Sequence, residues 1–214
     1  LIDRNTGQRL KLPIRSEALI SSTFTDCSFS STLDEMTFKR LNELLNQRVQ
    51  QLYSMKDYVG PKITHKHIKE LDRFYKCKGG GYIRVAIDPQ TQKMKRAIKK
   101  IRLQNLDFYC PHEQFDFRVS INLEEEMEFP TEDDFPDHER SKDRLSYIFS
   151  PYQIDITVVK TTQMDSFGKP LKYSTRTYEV EIECDPEQFF IEKVKLDNKQ
   201  ENKFAEQASC IVFF

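Results

Sequence analysis

One short segment near the C-terminal end of the chain constrains the fold more than any other. Residues 177–183 alternate carboxylates with apolar residues, and their aromatic and β-branched content is typical of a strand. Successive strand side chains point to opposite faces, so the three glutamates of the segment share one face. Like charges at that spacing repel unless water, cations or basic side chains neutralise them. Alone, the segment indicates a solvated edge strand, in which charges deter unwanted pairing.

The composition is that of a globular protein with a core. The chain has 214 residues with 16 Phe and 9 Tyr, which is enough to bury a core although 31% of its residues are charged. Its net charge of −1 predicts no general attraction to nucleic acid, so any basic site must be local. The five cysteines include no C-x-x-C pair, which predicts reduced thiols.

The two ends of the sequence indicate that it is cut. The chain opens at Leu1 without an initiator Met and stops inside the apolar run 208–214. No apolar run approaches the length that is needed to span a membrane. We therefore expect residues 1–214 to form a single domain that is truncated at both ends.

Strand-like alternation extends over most of residues 81–183. Turn signals at 88–92 and 168–170 and an acidic loop at 131–138 separate the segments. A capping box at Ser31 or Thr32, followed by an apolar stripe at helical spacing, predicts a helix before this region, and helical signals return after Pro186. Antiparallel-looking strands with helices at both ends predict an α+β fold, or a barrel with flanking helices.

The polar faces of these predicted strands carry many charges. In a sandwich they would meet solvent, whereas in a closed barrel they would line the lumen and must pair or bind a charged ligand. Carboxylates bind hard divalent cations and Arg and Lys bind phosphate, so the combination indicates metal-assisted phosphoryl chemistry. For Lys142 and Arg144 alone, an exposed salt-bridged strand remains the alternative, and for 124–126 a solvated acidic run.

Four motifs occur in an order that resembles a known family. They lie at residues 118–124, 139–147, 154–157 and 179–183. Together they resemble the fungal RNA 5′-triphosphatase, the β subunit of the mRNA-capping enzyme, which is a triphosphate tunnel metalloenzyme. The resemblance covers most of the chain, including residues 1–13, which are similar to the segment just after the family's first strand.

The resemblance implies both a fold and an activity. The fold is an antiparallel eight-stranded β-barrel, or tunnel, with flanking helices, which binds a triphosphate inside. The activity is the metal-dependent removal of the γ-phosphate of nascent RNA, with Mg²⁺ or Mn²⁺, to leave a 5′-diphosphate in the first step of mRNA capping. The resemblance further implies a nuclear homodimer that works with a guanylyltransferase subunit or with a phosphorylated tail of RNA polymerase II or an elongation factor.

The resemblance also implies roles for individual residues. The implied metal ligands are Glu183, Glu181 and Glu179. The implied ligands of the substrate phosphates are Arg84, Lys100, Lys142, Arg144 and Asp155. Asp155 is implied to act together with Thr157 by holding neighbouring basic side chains in place. The implied catalytic residues are Arg84, Lys142, Arg144 and Glu124, the last of which positions or activates the attacking water.

Two departures keep alternatives open. The Glu-x-Glu pair of the family's first strand is absent from this chain, and Gln153 stands where some members carry a basic residue. The alternatives are a tunnel hydrolase of small triphosphates, and a catalytically inactive module that binds polyphosphate or a phosphopeptide.

Overall fold

The computed structural model describes residues 1–9, 19–20, 27–57, 59 and 63–207. None of the helices in these residues is long and apolar enough to cross a membrane. The described residues form the following elements: β1 (Ile2–Asp3), β2 (Leu19–Ile20), β3 (Cys27–Ser28), α1 (Glu35–Ser54), β4 (Thr64–Lys76), β5 (Tyr82–Ile87), β6 (Met94–Phe108), β7 (Phe117–Glu126), β8 (His138–Phe149), β9 (Tyr152–Met164), β10 (Pro170–Cys184) and α2 (Pro186–Asp197).

The strands form two sheets. Strand β1 pairs with β3, and the larger sheet has the order β10-β9-β8-β4-β5-β6-β2, with β7 paired to β6. The pairings β1–β3, β2–β6, β4–β5, β5–β6 and β6–β7 are antiparallel. This mostly antiparallel architecture with few helices agrees with the coarse prediction. The eight tunnel strands and the closure of the barrel are not established by this strand order, and both stay predictions.

The chain divides into two compact units, each built from three stretches of sequence. The first unit contains Leu1–Thr32, Glu70–Ser141 and Lys160–Thr175, and the second contains Leu33–Lys69, Lys142–Val159 and Arg176–Phe214. A single domain over residues 1–214 therefore stays a prediction. Its apolar terminal run, residues 208–214, lies outside the described residues, as do residues 10–13 of the N-terminal resemblance.

The core of the first unit lies on one face of β4, β5 and β6. Tyr75, Val85, Ile87 and Ala97 are buried there and pack together. In the register of the sheet, Val85 lies opposite Ala97, so both side chains share the apolar face. The alternation that the sequence predicted for β5 is therefore present, and Arg84 lies on the other face of the strand.

The core of the second unit lies beneath helix α1. Phe38 and Val49 of the helix pack with the buried Tyr147, Ile154 and Ile156 of β8 and β9. This is the structural helix that the apolar stripe predicted, and each buried aliphatic or aromatic side chain contributes about 1.5–3 kcal/mol.

The predicted start of α1 at a Ser31 or Thr32 capping box is wrong. Asp34 caps the helix instead, and its Oδ1 accepts a hydrogen bond from the backbone N–H of Thr37 at 2.9 Å. The backbone N–H of Leu33 donates to the carbonyl of Tyr178 in β10 at 2.8 Å, which ties the preceding residues to a strand. The helix that was predicted after Pro186 is present as α2, with Asp185 as its cap.

Candidate active site

The structure brings three predicted site residues of the first unit to one face of β5, β6 and β7. Arg84 lies opposite Ile98, and Lys100 lies opposite Glu124. Residues directly opposite each other in an antiparallel pair share a face, and Ile98 and Lys100 are two residues apart on one strand. Arg84, Lys100 and Glu124 therefore lie together, on the face opposite the apolar core.

Glu124 lies between two guanidinium groups. Its Oε1 is 3.3 Å from Nη2 of Arg84, and its Oε2 is 3.6 Å from Nη1 of Arg96. The side chains of Arg84 and Glu124 are 31% and 35% exposed, so both can reach a ligand in solvent. Arg96 also donates to Oε1 of Glu126 at 2.7 Å, and this hydrogen bond raises the pKa of Arg96.

Two residues of this face were missed from the sequence. Arg96 precedes Ile98 by two positions on β6 and so lies on the same face. Asp72 of β4 is buried and lies opposite Ala86, two residues from Arg84 on the same face. The signal for Asp72 was a carboxylate inside a strand, and it was lost because β4 itself was not predicted.

In the second unit, a predicted basic side chain contacts a buried carboxylate. Nη1 of Arg144 donates to Oδ2 of Asp155 at 2.8 Å, and Nε2 of Gln153 donates to Oδ1 of Asp155 at 2.8 Å. Asp155 is fully buried, and a buried charge needs such partners. Lys142, two residues before Arg144 on β8, is also buried. The predicted contact between Asp155 and a basic side chain is therefore present, and Gln153 adds a second donor.

Thr157 does not make the contact that was expected of it. Its side chain is 2% exposed, and its Oγ1 has no hydrogen-bond partner among the described residues. Buried hydroxyls are nearly always hydrogen-bonded, so Thr157 departs from the usual pattern.

The three glutamates lie at alternate positions of β10, as the sequence predicted. Tyr178 and Val180, which flank Glu179 on the strand, pack against the core of the second unit. The Oγ1 of Thr177 donates to Oε1 of Glu179 at 3.2 Å, while Glu181 and Glu183 are exposed. In the part of the chain that the structure describes, no three His, Cys, Asp or Glu residues form a group that could hold a metal ion. These residues alone therefore do not make a complete metal site.

Comparison with known proteins gives matches along nearly the whole chain. The family model described as "mRNA capping enzyme, beta chain" matches residues 1–212. A curated relative from Schizosaccharomyces pombe, named mRNA-capping enzyme subunit beta, is 33% identical over 86% of this chain and 58% of its own length. A relative of the same name from Cryptococcus neoformans is 31% identical over 82% of this chain and 43% of its own length. The chain thus spans about half the length of these relatives.

Solved structures with the same fold include the S. pombe Pct1 RNA triphosphatase. It matches with a TM-score of 0.83 and 26% identity, over 98% of this chain and 77% of that one. Pct1 in complex with the Spt5 CTD matches with a TM-score of 0.82 and 28% identity, over 99% of this chain and 79% of that one.

Proposed function

This chain belongs to the family of the mRNA-capping enzyme beta chains, and from that premise we propose that it removes the γ-phosphate of 5′-triphosphate RNA, the first step of capping. The observation that carries the proposal is the face shared by Arg84, Lys100 and Glu124. It combines phosphate-binding cations with a carboxylate, in a chain whose fold matches that of an RNA triphosphatase.

The basic side chains are proposed to hold the transferred phosphate. Arg84 and Lys100, which share one face of the first unit, would bind its oxygens and neutralise the charge that develops in the transition state. The family resemblance implies the same role for Lys142 and Arg144. Arg84 and Arg144 are each held by a carboxylate, at 3.3 Å and 2.8 Å. Because these carboxylates already orient the guanidinium groups, less side-chain freedom is lost when phosphate binds.

Glu124 is proposed to align the attacking water. Its carboxylate adjoins the Arg84 guanidinium, so a water that it orients would lie beside a phosphate bound by Arg84. The water oxygen attacks the γ-phosphorus in line, the bond from that phosphorus to the bridging oxygen breaks, and Glu124 accepts the proton. The products are 5′-diphosphate RNA and inorganic phosphate.

A requirement for Mg²⁺ or Mn²⁺ is part of the proposal, with Glu183, Glu181 and Glu179 as ligands. Carboxylate oxygens suit these hard cations. The described residues by themselves do not form a complete group of metal ligands.

The partners and the place of action are also proposed. The names of the relatives describe one subunit of a capping enzyme, which supports a guanylyltransferase subunit as partner. Pct1 was solved with the Spt5 CTD bound, which supports a phosphorylated tail of an elongation factor or of RNA polymerase II. Capping of nascent RNA would place the protein in the nucleus, and a homodimer follows from the family resemblance.

Phosphate release from γ-labelled triphosphate RNA tests the function. The native full-length protein is assayed with Mg²⁺ or Mn²⁺, beside Glu183→Ala and the control Glu187→Ala, which changes an exposed glutamate of α2. We expect release that Glu183→Ala abolishes and Glu187→Ala retains. Faster hydrolysis of free nucleotides or tripolyphosphate than of RNA would indicate a small-triphosphate hydrolase. No release with either metal would select the alternative of an inactive polyphosphate-binding module.

A further inference from the structure

Three aromatic rings cluster beside Arg84 in the first unit. The rings of Phe74 and His138 stack, with centroids 4.5 Å apart and planes 9° from parallel. The Tyr82 ring meets His138 edge-on, with centroids 5.2 Å apart at 78°, and meets Phe74 at 6.4 Å and 83°. We call Phe74, Tyr82 and His138 the ring cluster, and its mutual contacts fix the orientation of each ring.

A carboxylate holds the ring cluster in place. The hydroxyl of Tyr82 donates to Oδ2 of Asp137 at 3.2 Å, and Nδ1 of His138 lies 3.0 Å from the same oxygen. Lys76 forms an ion pair with the other oxygen of Asp137. The exposed ring of Tyr82 is thus anchored at its tip, so little freedom would be lost when a ligand stacks on it.

The ring cluster continues the face that carries Arg84. In the β4–β5 register, Phe74 lies opposite Arg84 and Lys76 lies opposite Tyr82. Since opposite residues share a face, two aromatic and two cationic side chains alternate on this small patch. Alternating cations and aromatic rings are the features by which proteins bind single-stranded nucleic acid, with phosphates on the cations and bases on the rings.

Solvent exposure distinguishes Tyr82 of the ring cluster from the aromatic side chain in the core. Tyr82 is 39% exposed and the Lys76 side chain 71% exposed, whereas Tyr75 on the opposite face is 7% exposed and packs in the apolar core. Phe74 and His138 are largely covered and support Tyr82 from beneath. Tyr82 is therefore the ring that a nucleobase can reach.

We propose that Tyr82, supported by Phe74 and His138, stacks on the 5′-terminal nucleobase of the triphosphate RNA, while Lys76 contacts a phosphate of the RNA backbone. This inference rests on the proposed binding of the triphosphate at Arg84, two residues along the same strand. Because every base has a π-face, the contact favours RNA over inorganic polyphosphate without selecting a base.

Binding of two matched oligonucleotides tests the stacking. Both carry an uncleavable β,γ-methylene 5′-triphosphate, and in one the first nucleotide lacks its base. The native full-length protein should bind the base-bearing RNA about tenfold more tightly, as expected for one stacked base. Tyr82→Ala should reduce this ratio to about one, and Tyr82→Phe, which keeps the ring, should retain most of it. The control Tyr173→Ala, which removes an exposed tyrosine of β10, should keep the full ratio.

The outcomes separate this inference from the proposed function. A ratio near one in the native protein, or a ratio that survives Tyr82→Ala, overturns the stacking. Failure of the native protein to bind either oligonucleotide overturns the stacking and the proposed function together. If the ratio is as expected but the native protein releases no phosphate from triphosphate RNA, the stacking stands and the hydrolase function fails. Affinity for the base-free RNA reports whether each variant is folded.

Discussion

Nη2 of Arg84 lies 3.3 Å from Oε1 of Glu124, two strands away in the sheet. This ion pair joins a proposed phosphate ligand to the proposed water-positioning carboxylate. A phosphate bound by Arg84 must either displace Glu124 or share the guanidinium with it. The pair therefore holds the carboxylate of Glu124 beside the cation that is proposed to bind the phosphate.

Removing the charge of Glu124 should slow the chemical step. Glu124→Gln keeps the shape of the side chain but cannot accept the proton of the attacking water. We expect the rate of phosphate release at saturating RNA to fall about 10²–10⁴-fold, the usual contribution of a general base. The control is Glu125→Gln, whose side chain points to the opposite face because Glu125 pairs with Lys99. Equal losses in both variants would contradict the assigned role.

Lys100 and Lys99 form a second matched pair, since neighbouring residues of β6 point to opposite faces. Lys100→Ala removes a cation from the face of Arg84 and Glu124, so the KM for triphosphate RNA should rise about tenfold. Lys99→Ala should change the KM less than about twofold, because Lys99 lies on the apolar side. Initial rates over a range of RNA concentrations give both values, and an equal rise in both variants would remove Lys100 from the site.

Asp155 should be important for stability as well as for activity. Asp155→Ala would remove the carboxylate that the largely buried Arg144 side chain contacts at 2.8 Å, and removal of one partner of a buried ion pair typically costs about 3–5 kcal/mol in the free energy of unfolding. Asp155→Asn keeps an oxygen acceptor for one donor, and we expect a smaller loss. Urea denaturation of the three proteins measures both changes. A loss below about 1 kcal/mol for Asp155→Ala would show that the pair does not stabilise the fold.

The strands that could be predicted from the sequence are those with one clearly apolar face. Strand β5 alternates cleanly because Val85 and Ile87 are buried in the core. Strand β4 was missed because charged residues lie on both of its faces. The buried residues of this strand are Asp72 and Tyr75. Charges on both faces erase the period-two signal, and only the pairing with neighbouring strands makes such a segment a strand.

Ion pairs between strands could not be predicted from alternation alone. Arg118 and Glu124 are separated by an even number of positions on β7, so alternation alone predicts that they share a face. Nevertheless, Nη2 of Arg118 donates to Oδ2 of Asp107 at 2.8 Å. The register between β6 and β7 shifts between Arg102 and Gln104. Even-numbered residues of β7 therefore lie opposite even-numbered residues of β6 on one side of the shift and opposite odd-numbered residues on the other side. Likewise, β9 buries both of its faces, and Asp155 was singled out by its motif rather than by hydrophobic pattern.

Removal of divalent cations should stop phosphate release. If the glutamates of β10 bind a catalytic metal, excess EDTA should lower release from γ-labelled RNA to background, and Mg²⁺ or Mn²⁺ should restore it. Glu181→Gln should raise the metal concentration needed for half-maximal rate, because it removes one anionic oxygen donor. Release that persists in EDTA would contradict the metal requirement, and an unchanged metal dependence in Glu181→Gln would remove that residue from the ligand set.

Asp137, the carboxylate that holds the ring cluster, should make the free energy of unfolding depend on pH in the acid range. Hydrogen bonds from Lys76, His138 and Tyr82 lower its pKa from 3.8 to about 2. A carboxylate with a lowered folded-state pKa stabilises the fold above its unfolded pKa, and this contribution is lost as pH falls from about 4 to about 2. The free energy of unfolding of Asp137→Asn should therefore lie below that of the native protein at pH 6, and the gap should narrow steadily below pH 4. Chemical denaturation at a series of pH values measures the gap, and a gap independent of pH would show that the charge of Asp137 does not support the cluster.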